Sequence, residues 1–433
     1  MASASATAID TAIWGLRASE TFVSVAYPDR FVITAPSIPT EAADVACNFA
    51  MMRGDAVLYS NDSGKCTLGL QGQTSEDSNK HNFKIKVKNS NKDKIAVRFG
   101  DWDESTSITL KAYGDIPGNN TAFDRTMVRE AVCLELWRRI RRAYPAPENR
   151  IGPWYAWMNI DMSLLPSARF SCDCRPVSVY LQLPTDDAPQ FYGAYMLRSD
   201  NTNTTYLIDE TNAFHYLLQP QHGPTSLWTT PNLLQTTFWE FSSPTTYDYE
   251  VPARLLNWFS AVLKGTDSWA NYAGYIGLKS WMDYKIFCDV VGSFDSMVNN
   301  LMLKSYTATE TAGIWEVDAY DLDESLGCKW GYTNGADPET TGFTTDQDPV
   351  WTSFSTYFAS QIKARYAELR SAGVLDIRSF TEILTFYSEG FRPADVEQDW
   401  VLYGTNSVSN SPYILNWYQR RLAWLDQQWG YTA

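Results

Sequence analysis

The sequence predicts an α+β, helix-rich fold, and three observations carry that reading. Residues 21–114 are a run of short β-branched and aromatic segments separated by turn clusters. Residues 121–144 have the periodicity of one long amphipathic helix, and from Ala253 onward helical spacing returns repeatedly. Between the two helix-bearing regions lies a polar and aromatic stretch with little helical periodicity, which reads as an inserted, exposed lobe. The expected organisation is an arm over 1–20, a main domain split between 21–185 and 253–433, and the inserted lobe over 186–252.

Length and composition are compatible with a large packed core. The 433 residues are 44% hydrophobic and include 17 Trp and 25 Tyr, too apolar for a disordered chain. A net charge of -15 argues against reading or coating nucleic acid, because affinity for phosphate backbones comes from Lys and Arg. The seven Cys are odd in number and scattered, which reads as reduced thiols in an intracellular setting. MASASATAID lacks the basic and apolar parts of a secretory signal, and no apolar run reaches membrane-spanning length.

In chain order, strands are expected within TFVSVAY, RFVIT, AVLYS, CTLGLQG, NFKIKVKN, KIAVRFGDW and SITLKAYG. Phe83, Ile85 and Val87 alternate with Lys84, Lys86 and Lys88, and Asn89 to Asp93 should turn the chain into a hairpin with Ile95, Val97 and Phe99. Those lysines form either a solvated strand face that discourages edge pairing or a contact for RNA or a partner. In the central helix Met127, Ala131, Leu134, Trp137, Ile140 and Tyr144 share a face, Thr121 and Asp124 resemble a capping box, and Pro145 and Pro147 end the run. Its last turns carry Arg138, Arg139, Arg141 and Arg142. These either complement the helix dipole and pair with acidic neighbours, or face phosphate or another subunit. A strand is expected at Val177 to Leu183. Further helices are expected at Ala253 to Lys264, Tyr272 to Tyr284, Phe287 to Ser305, Trp351 to Ala372, Ile377 to Glu389 and Pro412 to Trp429, with an acidic loop at Asn334 to Asp348.

Chemical motifs are scarce. There is no G-x-S-x-G, no Walker loop and no G-x-G-x-x-G. Cys172-x-Cys174 with His215 or His222 lacks the second pair that a structural zinc site needs. Asp318, Asp321, Asp323 and Glu324 crowd together but fail the EF-hand pattern, leaving a solvated acidic turn or a calcium contact at an interface. Asp161, Glu240 and Glu316 beside aromatic residues allow a glycoside hydrolase or a carbohydrate-binding cleft as the alternative function. No spacing singles out a pair, so no catalytic residue, metal or cofactor is assigned and no enzyme is expected.

The small-residue opening MASASATAID, together with FYSEGFRPADVEQDW and NWYQRRLAWLDQQW in the closing half, resembles capsid proteins of fungal partitiviruses, the gammapartitivirus group in particular. The resemblance implies a shell domain with a protruding arch domain, dimers assembling into a T=1 icosahedral particle, and a virion in the host cytoplasm. Its implied partners are other copies of the chain, packaged double-stranded RNA and a viral RNA polymerase, with no membrane. On that reading Arg138, Arg139, Arg141, Arg142, Lys84, Lys86 and Lys88 are the RNA-contact candidates, and Trp14, Trp417, Trp424 and Trp429 the interface candidates.

Overall fold

The computed structural model describes residues 22–72, 78–114, 124, 126–143, 170–201, 203, 205–206, 208–209, 211–306, 308, 312–328, 342–403 and 407–432. The expected arm, Trp14, Thr121, Asp161 and most of the acidic loop lie outside them.

The first nine strands are β1 (Phe22–Val25), β2 (Arg30–Thr34), β3 (Val45–Arg53), β4 (Ala56–Leu70), β5 (Phe83–Lys86), β6 (Ala96–Phe99), β7 (Ser107–Lys111), β8 (Cys174–Gln182) and β9 (Gln190–Arg198). Seven of them close a barrel in the order β2-β3-β4-β5-β7-β9-β8. Period-two alternation sends Phe31, Ile33, Phe83, Ile85, Ile108 and Leu110 into one buried cluster, and closure leaves this sheet without open edges. Closure comes from a parallel ladder between β2 and β8, running from Arg30 opposite Ser178 to Thr34 opposite Gln182. The expected hairpin forms only in part. Asn89 accepts from the backbone N–H groups of Asn91 and Asp93 and so makes the turn, and Lys88 bridges Lys94. However, β5 ladders with β4 and β7, while β6 pairs in parallel with β1.

A second, larger core surrounds helix α1 (Arg129–Arg142) and an antiparallel sheet in the order β11-β10-β12-β13. These strands are β10 (Tyr216–Pro220), β11 (Trp239–Ser243), β12 (Leu301–Ser305) and β13 (Glu316–Ala319). Around them pack α2 (Glu250–Leu263), α3 (Leu278–Val291), α4 (Pro349–Tyr357), α5 (Ala359–Ser371), α6 (Ile377–Ser388), α7 (Pro393–Tyr403) and α8 (Ser407–Trp429). The predicted face of α1 is buried at Ala131, Leu134, Trp137 and Ile140, with Arg138 and Arg141 buried along the same face, and Val132, Cys133 and Leu136 are buried outside it. This helix is central to its lobe.

The helix-rich shell with a protruding arch is therefore corrected. The strand-rich segment closes on itself as a barrel, and residues 190–198, 216–220 and 239–243, within the span read as a lobe, are strands of the barrel and the sheet. The expected helix from Phe287 to Ser305 also fails. It stops at Gly292, whose φ of 64° suits a residue without Cβ, and whose added Cβ would lie 2.7 Å from the Trp417 ring. Beyond Gly292 the chain runs through a loop into β12. The run Trp351 to Ala372 breaks at Phe358 into α4 and α5.

Candidate functional site

The barrel and the sheet face one another across a cleft of about 700 Å³, within the range of small-molecule sites. The barrel supplies Lys111 at the end of β7, with Gln71 after β4 and Asn82 before β5. Asn82 accepts from the Ala112 N–H at 2.6 Å, tying its segment to the residue beside Lys111. From the other side come Gln219, Gln221, His222 and Glu240 around β10 and β11, then Asp295, Asn299 and Asn300 before β12, then Tyr320, Asp321, Asp323 and Glu324 after β13.

Charge is organised around Asp321. Lys111 Nζ lies 3.2 Å from its Oδ1 and Arg198 Nη1 3.6 Å. Arg198, buried at the end of β9, also pairs with Glu130 at 2.6 Å, and Tyr113 donates its hydroxyl to the same carboxylate. Burial opposes ionisation of Asp321, but Lys111 and Arg198 outweigh it and hold the carboxyl below its ordinary range. The opposite holds two residues on. Burial and then the charge of Asp321 push Asp323 well above the ordinary range. Lys111 is buried too, yet the attraction of Asp321 prevails and its pKa is raised.

Asp295 sits in the loop after Gly292. Its Oδ2 accepts from Asn299 Nδ2 at 2.8 Å and from Asn300 Nδ2 at 3.0 Å, and burial raises its pKa, partly offset by the Asn299 bond. The backbone is strained here. Seven described residues other than glycine have a positive φ, and Tyr113, His222, Asn300 and Asp321 all line this cleft. Left-handed non-glycine residues cost free energy and persist where surrounding structure holds them, typically at functional sites. Chemically, the cleft offers one buried ammonium, two adjacent carboxylates of opposite proton affinity, and a carboxylate oriented by two amides.

The residues singled out from the sequence fall mostly elsewhere, in internal pairs and packing. Arg138 is buried with Glu135 and Asp173, each at 2.8 Å, and Arg141 with Asp283 at 3.0 Å. Arg139 bonds Glu135 at 3.0 Å, and Arg142 is exposed. Lys84 pairs with Asp200 at 3.0 Å and Lys86 with Asp44 at 2.8 Å, while Lys88 is half-buried at the barrel turn. Trp417 and Trp429 belong to the large core, and half-buried Trp424 rests against Phe343. Glu240 reaches the cleft and accepts from Gln221, but Glu316 is buried on β13. Cys172 and Cys174 are buried free thiols, and His215 accepts from the Asp209 N–H. Sequence reasoning missed Lys111, Glu130, Asp295, Asn300 and Arg198. The signal available for two of them was the D-x-x-x-x-N spacing of Asp295 and Asn300, hidden inside an apparent helix.

A barrel lobe and a sheet-and-helix lobe meeting at a charged cleft define the chain as a two-lobed cleft protein. More narrowly, it belongs to the CotH kinase protein family, whose model matches residues 68–425. No curated protein matches the chain. Family membership overturns the resemblance to partitivirus capsids, along with the T=1 shell and the viral function drawn from it. The glycoside hydrolase and carbohydrate-binding alternative is not supported either. Packaged RNA, an enclosed polymerase and a virion location followed from the capsid resemblance alone. The family's description points toward an enzyme, where the sequence motifs suggested none.

Proposed function

We propose that the cleft transfers the γ-phosphoryl group of a nucleoside triphosphate to a hydroxyl acceptor. The observation that carries this is the convergence of Asp295 and Asn300, five residues apart, with the Lys111–Asp321 pair. Phosphotransferases of the protein kinase type use the same parts: a strand lysine on the phosphates, a helix glutamate behind it, a loop Asp-x-x-x-x-Asn, and a later metal-binding Asp. Here Glu130 on α1 is the helix acid, and Arg198 stands between it and Asp321.

Among the described residues no three His, Cys, Asp or Glu side chains lie together as a complete metal cage. Mg²⁺ does not need one, since it is held by one or two carboxylates with substrate phosphates and water. Asp321, Asp323 and the Asn300 amide fit that donor set, and the burial and Asp321 charge that raise Asp323 are what a divalent cation would offset. When bound, the ion would neutralise charge on the β- and γ-phosphates. Lys111 binds phosphate oxygens, and Asp295, held by its two amides, takes the proton. The acceptor oxygen bonds to the γ-phosphorus as the bond from that phosphorus to the bridging oxygen breaks; the acceptor proton passes to Asp295 and the nucleoside diphosphate leaves with the electron pair.

The test is Mg²⁺-dependent ATP binding by calorimetry and phosphate release from γ-labelled ATP, with water as acceptor. Asp321→Asn and Asn300→Ala should each lower turnover by about 100-fold or more. Absence of both binding and release in the unchanged protein would sink the reading.

A further inference from the structure

We propose that His222 presents its Nε2–H to the γ-phosphoryl group as it is transferred, an inference that rests on the phosphoryl-transfer reading above. Asn299 links this histidine to the acid beside it. Its Nδ2 donates to the Asp295 carboxylate at 2.8 Å, and its Oδ1 accepts from the His222 backbone N–H at 3.3 Å. Both bonds fix which end of the amide is nitrogen. That same nitrogen lies 3.2 Å from His222 Nδ1. An amide nitrogen has no lone pair to offer, so Nδ1 is the acceptor and the ring proton resides on Nε2. His222 lines the cleft together with Asp295 and Asn300. The bond to Asn299 thus sets the tautomer and leaves Nε2–H as the ring's donor.

The ring's position is rigidly specified. Gly223 donates to the Val298 carbonyl at 3.1 Å and Trp228 Nε1 to the Met297 carbonyl at 2.7 Å, so the two segments are joined along the Asp295 to Asn300 loop. A Cβ on Gly223 would meet the Leu227 side chain at 2.6 Å. His222 itself has φ 46°, a left-handed conformation uncommon outside Gly, for which Asn, Asp and His are the enriched exceptions. His222 is exposed where it lines the cleft, and the Asn299 bonds hold its ring there. A donor already held in place needs no reorganisation as negative charge forms on the transferring group.

The experiment follows Mg²⁺-dependent ATP hydrolysis and ATP binding in the full chain for His222→Asn, His222→Gln and His222→Gly. Asn and Gly tolerate the left-handed backbone, so folding is retained, and thermal midpoints check this. The expected result is a fall of about 100-fold in kcat for Asn and Gly with the ATP dissociation constant unchanged. Gln, whose amide can reach the Nε2 position, should keep more activity than Asn, and free imidazole should raise turnover of His222→Gly. Unchanged kcat in the variants, or a rise in KM alone, overturns the proposal while leaving phosphoryl transfer standing. A loss that neither Gln nor imidazole relieves also overturns it, by assigning His222 a purely structural role. No binding and no turnover in the unchanged protein overturns both readings together.

Discussion

At the scale of single residues, the molecule is marked by how many charges it buries in pairs. Arg198 with Glu130 and Arg129 with Asp124 are inaccessible to solvent on both sides. Desolvating such groups is costly, so their value lies in being matched, and removing one partner is worse than removing both. Glu130→Ala is expected to lower unfolding free energy by about 3–5 kcal/mol in urea melts, because it removes the closest counter-charge of buried Arg198 and leaves only the longer contact with Asp321. Asp348 shows the other sign. It caps α4, accepting from Val350 and Trp351, yet burial lifts its pKa to about 6. A carboxyl raised on folding adds stability that is complete below its unfolded value and is lost as pH climbs through 6. Asp348→Asn, which keeps a capping oxygen without the charge, should therefore flatten the stability–pH curve between about pH 4 and 6 and raise stability at pH 7 by roughly 1–3 kcal/mol. A drop at pH 7 in a denaturant titration would contradict this.

At the scale of elements, helix α7 is tied to the barrel by two carboxylates one turn apart. Asp395 receives the Ser178 hydroxyl, and Asp399 receives the Ala194 N–H at 2.7 Å and pairs with Lys80 at 2.9 Å. Lys80 is wholly buried beneath Tyr195 and Tyr403 and also donates to the Ala194 carbonyl. Lys80→Met alone should destabilise by several kcal/mol, and adding Asp399→Leu should recover part of the loss; a double variant no better than the single would refute the pairing argument. Elements were legible where one face decided them. Alternation exposed β2, β5, β7 and β8 of the barrel, and the three-to-four spacing exposed α1, but β3 was not expected and β9 was read as part of the lobe. The site was not legible because its residues obey tertiary rules. Asp295 and Asn300 sat in what looked like helix until the left-handed Gly292 ended it. Asp321 and Asp323 read as a surface turn since nothing local announces a lysine arriving from a strand more than 200 positions earlier. The arginines of α1 were conspicuous by composition, but their partners Asp173 and Asp283 lie far along the chain, and pairing cannot be seen from one end.

At the scale of the whole molecule, the two cores face each other where chemistry is proposed, with Lys111 and Asn82 from the barrel side and Asp295, Asn300 and Asp321 from the other. A ligand that spans them should stabilise both. Mg²⁺·ATP at 100 times its dissociation constant is expected to add about 2.7 kcal/mol, read as a raised thermal midpoint, and Asp321→Asn should abolish that rise. If Asp321→Asn still shows the full shift, the nucleotide binds away from the proposed site.

The parallel seam between β2 and β8 has a consequence for synthesis on the ribosome. Strands β2 to β7 emerge first, but the barrel cannot close until β8 and β9 follow, and α1 intervenes. At translation rates of about 5–20 residues per second the nascent sheet waits for several seconds with β2 and β7 as open edges. Those seconds are when the chain is most exposed to mispairing with its neighbours on the same message.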